Sequence, residues 1–509
     1  MSSSVSNKSI AKNTLLMYIR MLFMMVISLY TSRIILHELG IEDFGIYNIT
    51  NGIIISFSFL STALISASQR YLAFSLGKED FEDFKKYFSS SFMLYAVLGL
   101  LICVVILPIG IWLLESKLTI PIGKHNQAII LFYTVIVTFF LSFLRIPFYS
   151  AVIAKERFSF YAYLGIVEAI LKLIIVYCLV LSPSTKLVLY GFLQLLVALL
   201  IDIIFAIYTF ASIKTNLVIV REKRYYRDLL TFSGWSLFEA LASIGKTEFV
   251  NFILNIFYGV FVNAAYGIAK QVFSAINAFT SNFQTAYRPQ LTKCYAANNI
   301  EYLHELIINT SKFSTVIFSI VAIPICLNID YLLDLWLTDV PKYSSYFAVF
   351  FIMSSALETI SGPFWITAHA IGKIKWFQII TGIVRLLSIP LVFFYVKFDY
   401  PVKFVFVMLV LSDFIVCIYR IIYLYKTINF PFKTYIKEVF LKLTFVFLLA
   451  IYIPVVVTSN LTDGFAKLLL SSFGSITIIS LTTYFYLLTK KERDKLLYIV
   501  VNLFNKVKH

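Results

Sequence analysis

Apolar runs of roughly 20 residues recur along the whole chain, each bounded by charged residues or by Gly and Pro. Hydrocarbon offers a backbone amide no partner except a carbonyl of its own helix, so such runs predict bilayer-spanning helices. The pattern predicts about fourteen, over residues 13–37, 44–69, 88–114, 126–150, 160–182, 187–212, 231–257, 260–286, 312–335, 346–369, 376–396, 403–426, 440–458 and 466–489. The expected fold is all-α and polytopic. Segments on one side of the bilayer are short; those on the other are longer and basic, as at 77–86 and 213–229. The tail, 490–509, sets apolar positions at helical spacing beside lysines, which suits either an amphipathic surface helix or a solvated end.

Two stretches echo one another. Residues 145–158 read RIPFYSAVIAKERF and residues 363–374 read PFWITAHAIGKI, so Pro147 answers Pro363, Phe148 answers Phe364, Tyr149 answers Trp365, Ala154 answers Ala370 and Arg157 answers Lys373. Phe44-Gly45-Ile46-Tyr47 aligns with Tyr266-Gly267-Ile268-Ala269 at a similar offset, as do Arg70 with Arg288 and Gly77 with Ala297. An internal repeat of this kind implies two homologous halves in the same orientation. The expected organisation is a six-helix lobe over 1–212, a basic linker over 213–230, a second six-helix lobe over 231–426, an extra helix pair over 427–489 and the tail over 490–509. At each echo the proline is expected to end a helix, and Lys155 and Arg157 to pin the following loop to the cytoplasmic face.

Composition agrees: 60% of residues are hydrophobic and 14% charged, with a mean hydropathy of +0.86, far from the soluble average of about 25% charged. The net charge of +16 is not a nucleic-acid signature, because alternating the loops from a cytoplasmic N-terminus puts most Lys and Arg on one side, the positive-inside pattern. The five cysteines, Cys103, Cys178, Cys294, Cys326 and Cys417, have no metal-site or disulfide spacing. Enzyme motifs fail in turn. Gly245-Lys246-Thr247 lacks the first glycine of a phosphate loop, having Ala240 in its place, and the five histidines have no HxxxH or HExxH spacing. No catalytic residue, metal or cofactor is expected.

Polarity inside the spans is the remaining signal, since it is costly in lipid. On the eighth span Asn263, Lys270, Ser274, Asn277, Ser281, Gln284 and Arg288 follow at three-, four- and seven-residue spacings and so form one stripe. Interhelical hydrogen bonding would account for the Ser and Asn residues; a lysine near mid-membrane points to a wet cavity. The second span places Asn48, Asn51, Thr62, Ser66 and Gln69 on one face, and the seventh carries Glu239, Ser243 and Lys246 on one side and Glu248, Asn251 and Asn255 on another. Cations recur in both halves: Arg20, Arg145 and Lys172, then Lys246, Lys270 and Arg385, while Arg33 lies near enough to a span end to snorkel. Such cations would attract an anion, plausibly a phosphate or pyrophosphate. Acids inside the spans, Glu168, Asp202, Glu239, Glu248, Glu358 and Asp413, are either salt-bridge partners or ion-coupling groups, and Glu168 has Arg145 and Lys172 as possible partners. The candidate substrate-binding set is Arg20, Asn48, Lys246, Asn263, Lys270, Ser274, Asn277, Gln284 and Arg288, with Glu239, Glu248 and Glu168 as candidate ion-coupling groups.

Leu39-Gly40-Ile41-Glu42-Asp43-Phe44-Gly45-Ile46-Tyr47, then Gln69-Arg70-Tyr71, Ile153-Ala154-Lys155-Glu156-Arg157-Phe158, Phe257-Tyr258-Gly259, Asn263-Ala264-Ala265-Tyr266-Gly267-Ile268-Ala269 and Pro289 resemble, in order and spacing, the bacterial polysaccharide-export (O-antigen or capsule, Wzx-type) flippases of the multidrug/oligosaccharidyl-lipid/polysaccharide (MOP) exporter superfamily. The resemblance runs to about residue 380. It implies fourteen helices as two six-helix lobes plus a C-terminal pair, and a basic central cavity lined by helices one, two, seven and eight. It also implies transport of undecaprenyl-pyrophosphate-linked oligosaccharide from the inner to the outer leaflet. Expected partners are that lipid-linked glycan, membrane lipids, and a polysaccharide polymerase and chain-length regulator, with no nucleic acid. The expected location is a bacterial inner membrane with both termini cytoplasmic. The rivals are a peptidoglycan-precursor flippase or drug exporter of the same superfamily, and a membrane-embedded glycan polymerase, which the short outer loops disfavour.

Overall fold

The structure is a computed structural model that describes residues 3–494 apart from 56, 117–119, 121–122, 183–184, 338, 399, 463 and 491. The described chain is helical: α1 Ser3–Ile55, α2 Ser58–Gly77, α3 Phe81–Ser116, α4 His125–Ala154, α5 Phe158–Leu181, α6 Lys186–Tyr208, α7 Lys223–Ala296, α8 Ile300–Leu327, α9 Ile329–Trp336, α10 Ser344–Ile371, α11 Lys375–Lys397, α12 Lys403–Ile428, α13 Phe432–Tyr435, α14 Leu441–Val457 and α15 Phe465–Thr482. Among the described residues 11 helices are long and apolar enough to cross a bilayer, and 12 spans result if the bent pair Glu42–Ile54 and Ser58–Gly77 is one. The 74-residue α7 is broken once, at Gly259. Neither arm of α7 is among those spans, and the arms carry Lys246, Glu248 and Lys270; the 11 or 12 spans compare with the expected fourteen.

The breaks carry the repeat. Gly40 interrupts α1 at φ 75° and Gly259 interrupts α7 at φ 77°. No atom lies within 4 Å of a Cβ built at either position, so glycine is needed there for the left-handed backbone and not for space. Further positive-φ residues pair at nearly the same offset: Glu79 with Asn298, Gly123 with Tyr343, Glu156 with Gly372, and Lys214 with Asn429. Five matched joints repeat the same chain reversals with mostly different residue types.

Several boundaries differ from the hydropathy reading. The ninth span begins at Ile300 and not near 312, because a helix persists through a charged turn carrying Glu301, His304 and Glu305 that hydropathy scores as loop; it stops at Leu327 and a separate short α9 follows. The thirteenth begins at Phe432 and passes through a π-turn over Ile436–Phe440. The second span is bent by 46° between Ile54 and Ser58, so Asn48 and Asn51 do not continue the face of Thr62, Ser66 and Gln69. Pro147 and Pro363 lie inside α4 and α10 and end neither helix; in a bundle, neighbouring groups take over the carbonyl a proline leaves free. In the basic stretch, 214–222 has no regular secondary structure and Lys223 opens α7. The expected surface helix of the tail lies, from residue 495 onward, outside the described residues.

The chain forms two compact units, 1–241 with 285–299 and 369–379, and 242–284 with 300–368 and 380–509. In the first, α3 packs on α4, α4 on α6 and α1 on α5, around the fully buried Phe84, Phe88, Phe132, Phe143 and Phe158. The loop after α4 is tied by Glu156, which accepts from Lys293 at 2.7 Å and from Gln290 at 3.2 Å, while Lys155 rests over the Phe81 ring at 4.6 Å. In the second, Leu254, Tyr266, Phe347 and Phe406 form the core of the α7, α10 and α12 region, and α14 and α15 pack on α8. Lys312 reaches Glu492 at 3.0 Å, which fastens the start of the tail to α8.

Candidate functional site

Residues of α7 between 242 and 284 hold most of the candidates. The two arms of α7 are cross-bonded: Asn263 Nδ2 donates to Asn251 Oδ1 at 2.6 Å, Tyr266 Oη donates to the Thr247 carbonyl at 3.0 Å, and Lys270 Nζ donates to Glu248 Oε1 at 2.5 Å. Beyond these links the stripe changes character. Ser274, Asn277 and Ser281 are exposed and Gln284 is half-buried. Asn263 therefore serves arm-to-arm packing, whereas Ser274 and Asn277 present hydroxyl and amide groups outward. The Lys270–Glu248 pair sits between the two regimes, its side chains 45% and 52% exposed.

Lys246 is turned the other way. Its ammonium donates to Asp413 Oδ1 at 2.7 Å, Ser412 Oγ at 2.9 Å and the Leu409 carbonyl at 3.3 Å, all on α12. Three acceptors saturate its three N–H groups in a dry setting. Close by in the same unit, Glu358 of α10 binds both Arg385 of α11 and Arg420 of α12, the latter at 2.7 Å, and Arg420 also donates to Ser361 Oγ at 2.8 Å. Arg420 is absent from the sequence-derived candidates because it lies near the end of its apolar run, where a cation reads as an interfacial charge; the structure buries it.

The unit containing residues 1–241 gathers the rest. The Arg20 guanidinium lies over the Tyr161 ring, 4.2 Å from its centroid, with Gly165 of α5 beside it leaving no room for a side chain. Tyr161 packs on Tyr149. Arg288 Nη1 donates to Gln69 Oε1 at 3.1 Å. Arg20, Tyr161 and Tyr149 of the repeated motif thus form one chain of contacts. Glu168 accepts from Lys172 at 2.7 Å; Arg145, its other expected partner, pairs instead with Asp202 and donates to the Ala198 carbonyl at 3.3 Å. Asp202 is one turn of α6 away from Ala198, so one guanidinium satisfies both. Glu239 is 8% exposed, and Asn48 is exposed on α1.

Five of the six expected intramembrane cations, Arg145, Lys172, Lys246, Lys270 and Arg385, stand against carboxylates. These intramembrane cations are therefore largely neutralised by neighbouring carboxylates. What the site offers is an exposed row of neutral hydrogen-bonding groups with one accessible ion pair.

No protein-family model matches the sequence, and no curated protein matches it. Solved structures do. A crystal structure of a mutant MATE protein superposes with a TM-score of 0.73 at 16% identity, covering 83% of this chain and 96% of that one. A MOP superfamily transporter from Pyrococcus furiosus, described as having a binding pocket of reversed polarity, gives 0.69 at 16% identity, with 83% and 96% covered. An outward-facing multidrug resistance MATE transporter of the MOP superfamily gives 0.69 with the same identity and coverage. The chain has the fold of these transporters and is a multi-pass membrane protein.

Proposed function

We propose that the chain is a lipid-linked oligosaccharide flippase. It would take an undecaprenyl-pyrophosphate-linked glycan from the inner leaflet of a bacterial inner membrane and release it in the outer leaflet by alternating access, for O-antigen or capsule assembly, with its basic loops and both termini cytoplasmic. The observation that carries this reading is the second arm of α7, a membrane-length helix that leaves Ser274, Asn277 and Ser281 exposed beside the Lys270–Glu248 pair. Exposed hydroxyl and amide groups such as those of Ser274 and Asn277 are costly in hydrocarbon, roughly 2 kcal/mol or more each without a partner, whereas sugar hydroxyls would satisfy them. Lys270 is the natural pyrophosphate contact, since a phosphate can replace Glu248 as its partner, and Arg20 and Arg288 are the other candidates. Lys246 is left to hold α7 against α12. The MOP fold supports export, and the sequence resemblance supports the polysaccharide branch.

A second reading, export of an apolar organic cation, is favoured by the pairing of the intramembrane cations with carboxylates. One variant separates the two. Lys270→Gln should leave lipid-linked glycan stranded in the inner leaflet, with the protein present at wild-type level. Normal glycan export in that variant, together with efflux of a cationic dye that depends on Glu248, would transfer the assignment to the second reading.

A further inference from the structure

Away from the stripe on α7, the unit containing residues 1–241 and 369–379 has a cavity of about 490 Å³ where α7 begins and the α10–α11 turn passes. Arg224 and Arg227 from the start of α7, and Lys373 and Lys375 from the turn and the first residue of α11, line it; Asp228 is the one acid among the lining residues. That acid is already engaged, accepting the Tyr87 hydroxyl at 2.8 Å, with Arg224 Nε at 3.8 Å. Glu222, just before α7, is paired with Lys86 at 2.9 Å. Neither α7 nor α11 has an acid in its first turn, so the partial positive charge of two helix starts adds to that of the side chains.

The positive-inside rule explains why these cations are on one side of the membrane. It does not explain their convergence on a concave site. Trp235 forms one wall, with the Lys375 ammonium 5.4 Å from its ring centroid. The turn itself is held: Arg70 Nη2 donates to the carbonyls of Ala370 and Ile371 at 3.4 and 3.5 Å, and Gly372, at φ 85°, leaves just enough room for that guanidinium. Lys373 and Lys375 are thus presented from a fixed loop. Trp376, next to Lys375 in the chain and with its ring centroid 5.5 Å from the Lys375 ammonium, is 65% exposed, and an exposed tryptophan at the end of a span marks headgroup depth.

We propose that this cavity is a binding site for the phosphate of an anionic phospholipid headgroup, gripped by Arg224 and Arg227 and closed by Lys373 and Lys375. Arginine forks suit a phosphodiester's paired oxygens, and the lysines act as point charges. The site does not depend on what the protein transports.

The test is lipid retention by the full-length protein, purified in detergent and read by native mass spectrometry against phosphatidylglycerol and phosphatidylcholine. Wild type should retain phosphatidylglycerol preferentially. Arg227→Gln with Lys373→Gln should weaken that preference by at least about tenfold, and Lys375→Gln alone by less; all three proteins should elute as single monodisperse peaks. A control with the same loss of charge on the same side, Lys214→Gln with Lys426→Gln, should keep the preference. Equal retention of both lipids by wild type, or an equal loss in the control, would overturn the site and leave the charges topological. Excess inorganic phosphate should leave the lipid bound; displacement by it would reject the lipid as the ligand.

Discussion

Lys246 and Asp413 lie 167 positions apart in the chain and meet at 2.7 Å, their side chains 9% and 10% exposed. Charges so placed are costly singly and tolerable together. Removing one partner of a buried pair costs about 3 to 5 kcal/mol, whereas replacing both with apolar residues of similar volume is near neutral. Asp413→Asn should therefore lower the melting temperature of the detergent-purified protein sharply, and Lys246→Met combined with Asp413→Leu should restore most of it. Intrinsic-fluorescence melts decide the matter. A double variant as unstable as the single one would show that the pair is not what makes Asp413 matter.

The Glu358 carboxylate is shared by Arg385 and Arg420, whose side chains are 8% and 2% exposed. Glu358→Gln removes the counter-charge of two buried guanidinium groups at once, so its loss should exceed that of Asp413→Asn. The folded yield, measured by fluorescence-detected size exclusion, should fall accordingly, with Glu358→Asp in between. Wild-type yield from Glu358→Gln would mean that the arginines are satisfied without it.

Three glycines with positive φ differ in what surrounds them. At Gly40 and Gly259 a new Cβ meets nothing, so alanine should cost only the positive-φ, extended-ψ backbone, about 1 to 3 kcal/mol. At Gly372 the Cβ would also run into the Arg70 guanidinium, so Gly372→Ala should depress the melting temperature further than the other two. Equal shifts at all three would show that Arg70 yields without cost.

The spans were legible in the sequence because lipid leaves a chain so few alternatives, and the repeat was legible because Pro147 and Pro363 stand in similar surroundings. The 46° bend of the second span was not legible, since no proline or charge stands between Ile54 and Ser58 to announce it. The candidate site was legible as residue types and not as partnerships. Lys246, Glu358, Arg385 and Asp413 each stood out as a charge in an apolar run, but which acid meets which base depends on packing between helices remote in sequence. Arg145 shows the same limit: Glu168 was its expected partner, yet it pairs with Asp202 and the Ala198 carbonyl one turn away. The cavity beside Trp235 had no signal beyond a basic loop, because four of its eleven lining residues, Gly372 to Lys375, come from the α10–α11 turn and the start of α11, remote in sequence.

Arg70 is synthesised 300 residues before the Ala370 and Ile371 carbonyls that accept from it. At about 5 to 20 residues per second, its guanidinium waits about 15 to 60 seconds for those acceptors. The compact unit to which it belongs likewise stays open until 285–299 and 369–379 have been made. Order of synthesis and order of closure therefore part company in this protein. A nascent chain halted after the first arm of α7 would hold the residues for the α1–α5, α3–α4 and α4–α6 packing but lack 285–299 and 369–379, the two segments that complete its unit.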